Sequence, residues 1–127
     1  MTRVFLVCAA LAGALGAASG DVIVLDAAAD ATIYSDDNTR ANGSGEHLFA
    51  GTNNTGDNRR GLIRFDVLAS IPVGSVIESV ELRLFASRGG SGAVGLYPLF
   101  TDWGEGLSNP AGNEGAGTIA QDGDVTW

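Results

Sequence analysis

The chain has 127 residues, 19 of them glycine and 3 proline, a composition suited to one small domain of short strands and tight turns rather than to a helical bundle. Its 15 acidic residues outnumber 7 basic ones, all arginine, and the resulting charge of −8 repels phosphate backbones, so nucleic acid is excluded as an expected partner. Cys8 is the single cysteine, which leaves no intramolecular disulfide to staple the fold.

Residues 1–20 read as a secretory signal. Arg3 supplies a positive start, Val4 to Leu15 an apolar stretch, and Gly16-Ala17-Ala18-Ser19-Gly20 the small residues that signal peptidase requires. The apolar stretch is shorter than the roughly 18 residues needed to span a bilayer, so no membrane span is expected in the mature chain. Val7 is bulky where a lipidation motif wants a small residue, which argues against acylation of Cys8. The mature N-terminus is expected between Ala18 and Asp21, and the protein outside the cell or on its surface. Cys8 leaves with the signal.

From Asp21 onward short strands alternate with polar, glycine-rich turns. Val22–Leu25 is a continuous apolar run, and Ala31–Tyr34 is a second. Residues 36–45, rich in Asp, Asn, Gly and Ser, form a loop by turn chemistry, and His47–Ala50 reads as a brief strand before the Gly51–Gly56 turn. The clearest pattern covers Asn58–Asp66, where Ile63 and Phe65 alternate with Arg64 and Asp66; Val67 extends the apolar face. Ser79–Phe85 repeats it, with Val80, Leu82 and Leu84 opposed to Glu81 and Arg83, and the turn-prone Ile71-Pro72-Val73-Gly74 lies between the two. After a flexible turn at 87–92, Ala93–Phe100 reads as a strand that Pro98 confines to an edge or bulge. Residues 102–124 are loop-like. The expected fold is all-β, an antiparallel β-sandwich formed by one domain over 21–127.

Several of these segments, in this order, carry a resemblance: Ala29–Tyr34, Asn58-Arg59-Arg60 leading into Leu62–Asp66, the Ile71–Gly74 turn, Val80–Phe85, and Asp102-Trp103-Gly104-Glu105-Gly106. Together they resemble the DNRLRE domain, a secreted prokaryotic module similar to carbohydrate-binding module family 96, over about residues 26–127. The resemblance implies a jelly-roll-like sandwich and binding of extracellular polysaccharide, with uronate polymers of the alginate type among the ligands of some members. Family members continue into further strands where this chain reaches Asp124-Val125-Thr126-Trp127. The domain is therefore expected to be incomplete, with further domains downstream.

Sugar rings have apolar faces and polar edges, so binding is expected from aromatic side chains flanked by hydrogen-bonding groups. The aromatic candidates are Phe85, Tyr97 and Trp103, each of which reads equally as a packed residue. Arg59 and Arg60, beside Asn53, Asn54, Asp57 and Asn58, form the one adjacent basic pair, suited to gripping a uronate carboxylate through a bidentate fork. Arg64 and Arg83 read as cross-strand partners of Asp66 and Glu81.

Asp36, Asp37, Asp122 and Asp124 are hard oxygen donors on loops, the set from which structural calcium is expected if any cofactor binds, although no EF-hand spacing is present and solvated turn aspartates have the same composition. His47 stands without other nitrogen or sulfur ligands, which argues against zinc. With no nucleophile motif and no second histidine, a non-catalytic role is expected. Two functions remain open: a polysaccharide-binding module of a larger polysaccharide-degrading protein, and a structural or adhesive module of a cell-surface protein with no sugar site of its own.

Overall fold

The computed structural model describes residues 5–11, 20–90 and 92–127. The fold is all-β. Its strands are β1 (Phe5–Leu11), β2 (Asp21–Asp26), β3 (Ala29–Tyr34), β4 (Arg40–Asn42), β5 (Gly51–Thr52), β6 (Asn58–Arg64), β7 (Val76–Arg83) and β8 (Thr118–Ile119); a single helical turn, α1 (Val67–Ser70), follows β6. A three-stranded sheet has the order β2-β1-β7 and a five-stranded sheet the order β5-β6-β3-β4-β8. The chain divides into two compact units, Ala29–Ile63 with Arg88–Trp127, and Thr2–Ala28 with Arg64–Ser87.

The first unit is organised around β3. Ala31, Thr32, Ile33 and Tyr34 are all buried, so this run lacks the in–out alternation of a half-solvated strand. Its polar atoms are satisfied: Thr32 Oγ1 accepts from the Phe49 amide at 3.0 Å, and the Tyr34 hydroxyl donates to the Glu114 carbonyl at 2.9 Å. Gly117 has φ of 66°, and a Cβ there would lie 2.7 Å from the Tyr34 ring, so both backbone and packing demand glycine. Buried Asn42 accepts from the Gly45 amide and donates to the His47 carbonyl, while the Ser108 hydroxyl accepts from the Gly43 amide.

In the second unit, β1 pairs antiparallel with both neighbours, from Phe5↔Asp26 to Ala10↔Asp21 on one side and from Phe5↔Arg83 to Leu11↔Val76 on the other. The strand lies inside the segment read as a secretory signal. Asp66 caps α1 by accepting from the Ala69 amide at 3.2 Å, and Ile71 closes the turn by donating to the Val67 carbonyl. Ile71 is buried against Ile23 and Val67.

Four expectations are corrected. His47–Ala50 is not a strand, because the Phe49 amide is taken by the Thr32 side chain rather than by a ladder. Ala93–Phe100 is not a strand either: Pro98 withholds a donor, no partner strand lies beside the segment among the described residues, and Tyr97 and Phe100 are 88% and 92% exposed. The loop at 36–45 contains β4, whose partners β3 and β8 come from distant sequence. The two best-patterned strands belong to different sheets, and the second begins at Val76 and ends at Arg83, which leaves Val80 and Leu84 exposed and Phe85 beyond the strand. The first ends at Arg64, so Asp66 and Val67 belong to the cap and first residue of α1 rather than to the strand, although burial still alternates from Ile63 and Phe65, half-buried, to Arg64 and Asp66, exposed.

Candidate functional site

Strand β6 sends consecutive side chains to opposite faces, and this separates the two adjacent arginines. Arg59 turns inward. Its Nη1 donates to Asp36 Oδ1 at 2.6 Å and to the Asn58 carbonyl at 3.2 Å, its Nη2 to Asp36 Oδ2 at 3.4 Å, and its Nε to the Gly115 carbonyl at 3.1 Å. The guanidinium carbon also lies 4.8 Å from the centre of the Tyr34 ring. With 10% of its side chain exposed and its fork occupied, Arg59 ties β6 to the 113–117 turn. Burial pushes the Tyr34 hydroxyl up to about 12, against the opposing pull of the Arg59 charge.

Arg60 turns outward. It is exposed, and its guanidinium carbon lies 4.2 Å from the centre of the Trp127 ring, which is itself 41% exposed. Among the described residues the head of Arg60 meets an indole rather than a carboxylate. An exposed planar cation over an exposed aromatic ring offers N–H donors at one edge and apolar surface beside them.

The remaining aromatic candidates differ in their settings. Trp103 is half-buried in the Asp102–Gly106 loop, where the Gly104 carbonyl accepts from the Val125 amide. Tyr97 is exposed on the segment without secondary structure, and Phe85 is exposed in the unit containing β7. Arg83 pairs with Glu81 along its own strand, Nε to Oε1 at 2.7 Å, rather than across the sheet.

Of the loop aspartates, Asp36 is held by Arg59, and Asp37 by the Thr39 hydroxyl and amide and by Arg40 Nε at 3.0 Å. Hydrogen bonds from Thr39, followed by that of Arg40, keep the Asp37 carboxyl below its ordinary range. Asp124 accepts from the Gln121 amide at 2.6 Å and the Ser108 amide at 3.2 Å, and Asp122 is exposed. Asp36, Asp37 and Asp124 thus each fasten a loop, and Asp122 stands in solvent.

A different cluster forms where the 43–50 loop meets the 113–117 turn. Glu46, His47 and Glu114 bring one ligating atom each to within 4.8 Å of one another. Glu114 Oε2 accepts from the His47 amide at 2.8 Å and lies 3.3 Å from His47 Nδ1. Burial alone raises the Glu114 carboxyl, but the amides of Glu46 and His47 and the imidazole outweigh it and hold the group below its ordinary value. His47 is therefore not alone: its companions are carboxylates, and one of them is distant in sequence. Nothing in the local sequence signals that approach.

No family model, curated protein or solved structure matches the chain. No helix among the described residues is long and apolar enough to cross a membrane.

Proposed function

We propose that this chain is a secreted, non-catalytic module of DNRLRE type that binds an acidic extracellular polysaccharide as part of a larger protein, with Arg60 and Trp127 at the centre of its site. The observation that carries this reading is the exposed guanidinium resting on an exposed indole. In a chain of charge −8 a uronate polymer is repelled at long range, so recognition needs a local cation with its donors turned to solvent. Arg60 meets that requirement and Arg59 does not. A uronate carboxylate would accept from the Arg60 fork while the apolar face of the same sugar ring lies along the aromatic surface.

The test is binding to an alginate-type polymer, measured by calorimetry at two salt concentrations. Arg60→Ala is expected to weaken binding about tenfold or more, consistent with loss of a charge-assisted hydrogen bond, while Arg88→Ala in the glycine turn has little effect and added salt weakens the wild type. Salt-insensitive binding of a neutral glucan, unchanged by Arg60→Ala and abolished by Phe85→Ala, would reject the site.

A structural or adhesive module is the second reading, and one observation favours it. Val94, Leu96, Tyr97, Leu99 and Phe100 form a continuous stretch of exposed apolar side chains, more suited to a protein contact than to a sugar.

A further inference from the structure

We infer that Glu46, His47 and Glu114 form a binding site for a zinc-class divalent ion that fastens the 43–50 loop to the 113–117 turn. The site is independent of the polysaccharide reading and lies among residues that this reading does not use.

A tetrahedral ion with ligand bonds of about 2.0–2.1 Å sets neighbouring ligand atoms about 3.3 Å apart. His47 Nδ1 and Glu114 Oε2 are 3.3 Å apart. A charge-assisted hydrogen bond between the same groups would close to about 2.7–2.9 Å. At 3.3 Å the pair makes a loose hydrogen bond, and the same separation matches one edge of a coordination tetrahedron, so an ion can take the place of the shared proton with little movement of either group. Glu46 supplies a third oxygen within the same 4.8 Å limit, and water completes the shell from the solvent side, where Glu46 is exposed.

The Glu114 carboxylate is oriented before any ion arrives, because the amides of Glu46 and His47 both donate to it. Hydrogen bonds that fix a ligating carboxylate are the usual outer support of a metal site. Backbone position is set on both sides as well: Asn42 donates to the His47 carbonyl at 3.2 Å, and the Glu114 carbonyl accepts from Tyr34.

One imidazole nitrogen with two carboxylates suits zinc and its neighbours, whereas calcium requires six to eight oxygens and magnesium retains its waters. Bringing two carboxylates together around a single imidazole also leaves net negative charge, which a dication neutralises.

The experiment titrates ZnCl2 into the untagged full-length chain by calorimetry, with CaCl2 and MgCl2 in parallel, and follows thermal melting and the visible spectrum of the cobalt-substituted protein. One equivalent of zinc is expected to bind, to raise the melting temperature and to give a tetrahedral cobalt spectrum. His47→Ala and Glu46→Gln should each weaken zinc binding about tenfold or more while leaving metal-free melting close to wild type, because both side chains reach solvent. Glu114→Gln, which keeps an acceptor for the His47 amide but loses the charge, should also weaken zinc binding. Cys8→Ser should leave binding intact. Zinc binding unaffected by His47→Ala, binding lost with Cys8→Ser, or calcium bound equally well with and without His47 would overturn the site.

Discussion

Strands are stabilised differently in the two units of this molecule. In the unit containing β3, a strand buried on both sides is surrounded by loops whose polar side chains reach back into it: Thr32 holds Phe49, Tyr34 holds Glu114, Arg59 holds Asp36 and the Gly115 carbonyl, and Asn42 shapes the turn that follows it. In the unit containing β7, β1 ladders to both of its neighbours. Among the side chains described there, Val22, Val24, Val76, Val80 and Leu84 are exposed, Leu25 is buried, and Ile71 packs with Ile23 and Val67. Side-chain specificity fixes the first unit, so its stability resides in particular atoms. The second depends on which strand occupies the middle of its sheet.

The middle strand is β1, and it lies within the expected secretory signal. Cleavage between Ala18 and Asp21 would remove the strand that, among the described residues, pairs with both β2 and β7, leaving an open edge on each. The largest effect expected is therefore on amide exchange. In a chain processed at that point, amides of Val22–Leu25 and Val76–Arg83 should exchange far faster than in the full-length chain, while those of Ala31, Ile33 and Ala41 remain protected. Equal protection of Val76–Arg83 in both forms would show that the ladders to β1 are not what orders this unit.

A second effect separates the units by pH. The Tyr34 hydroxyl titrates at about 12 in the folded chain, against about 10 for an unfolded tyrosine. The folded state holds the proton more tightly, so this contribution to stability is complete below pH 10 and is lost as pH rises from 10 to 12. At about 1.4 kcal/mol for each pH unit of difference, the full loss is at most about 2.7 kcal/mol. Denaturant unfolding followed across pH 9–12 should show this decline in the wild type and not in Tyr34→Phe, which begins less stable by about 1 kcal/mol because the Glu114 carbonyl loses its donor. Parallel curves would mean that the hydroxyl is not protected by burial.

The sequence was informative wherever a local pattern decides the outcome. The apolar runs at Val22–Leu25 and Ala31–Tyr34 became strands, the Ile71–Gly74 turn formed, and the alternation from Ile63 to Asp66 divides half-buried from exposed residues although β6 itself ends at Arg64. It was silent where partners are distant. The pairing of β4 with β8, the grip of Arg59 on the Gly115 carbonyl, the rest of Arg60 on Trp127 and the approach of Glu114 to His47 all join segments more than fifty residues apart. The Arg59–Arg60 pair was legible as a candidate, but which arginine faces solvent depends on strand register. The pattern in 79–85 misled for a related reason: alternation marks a strand with one apolar face and does not supply the layer that covers it.

That last point yields the smallest effect and the sharpest contrast. Val80 looks like a core residue from its spacing, yet it is 58% exposed on β7. Val80→Thr keeps the β-branched shape and strand preference while replacing a methyl with a hydroxyl, which water can solvate at this exposure. The expected change in unfolding free energy is under about 0.5 kcal/mol, the range of ordinary surface substitutions. Ile33→Thr introduces a hydroxyl at a buried position of β3 and also deletes a carbon, so desolvation of the hydroxyl and the lost packing together should cost at least about 1–3 kcal/mol. Denaturant melts of the two variants against wild type measure the difference directly. If Val80→Thr costs as much as Ile33→Thr, the face of β7 is covered in solution and the contrast between the units disappears.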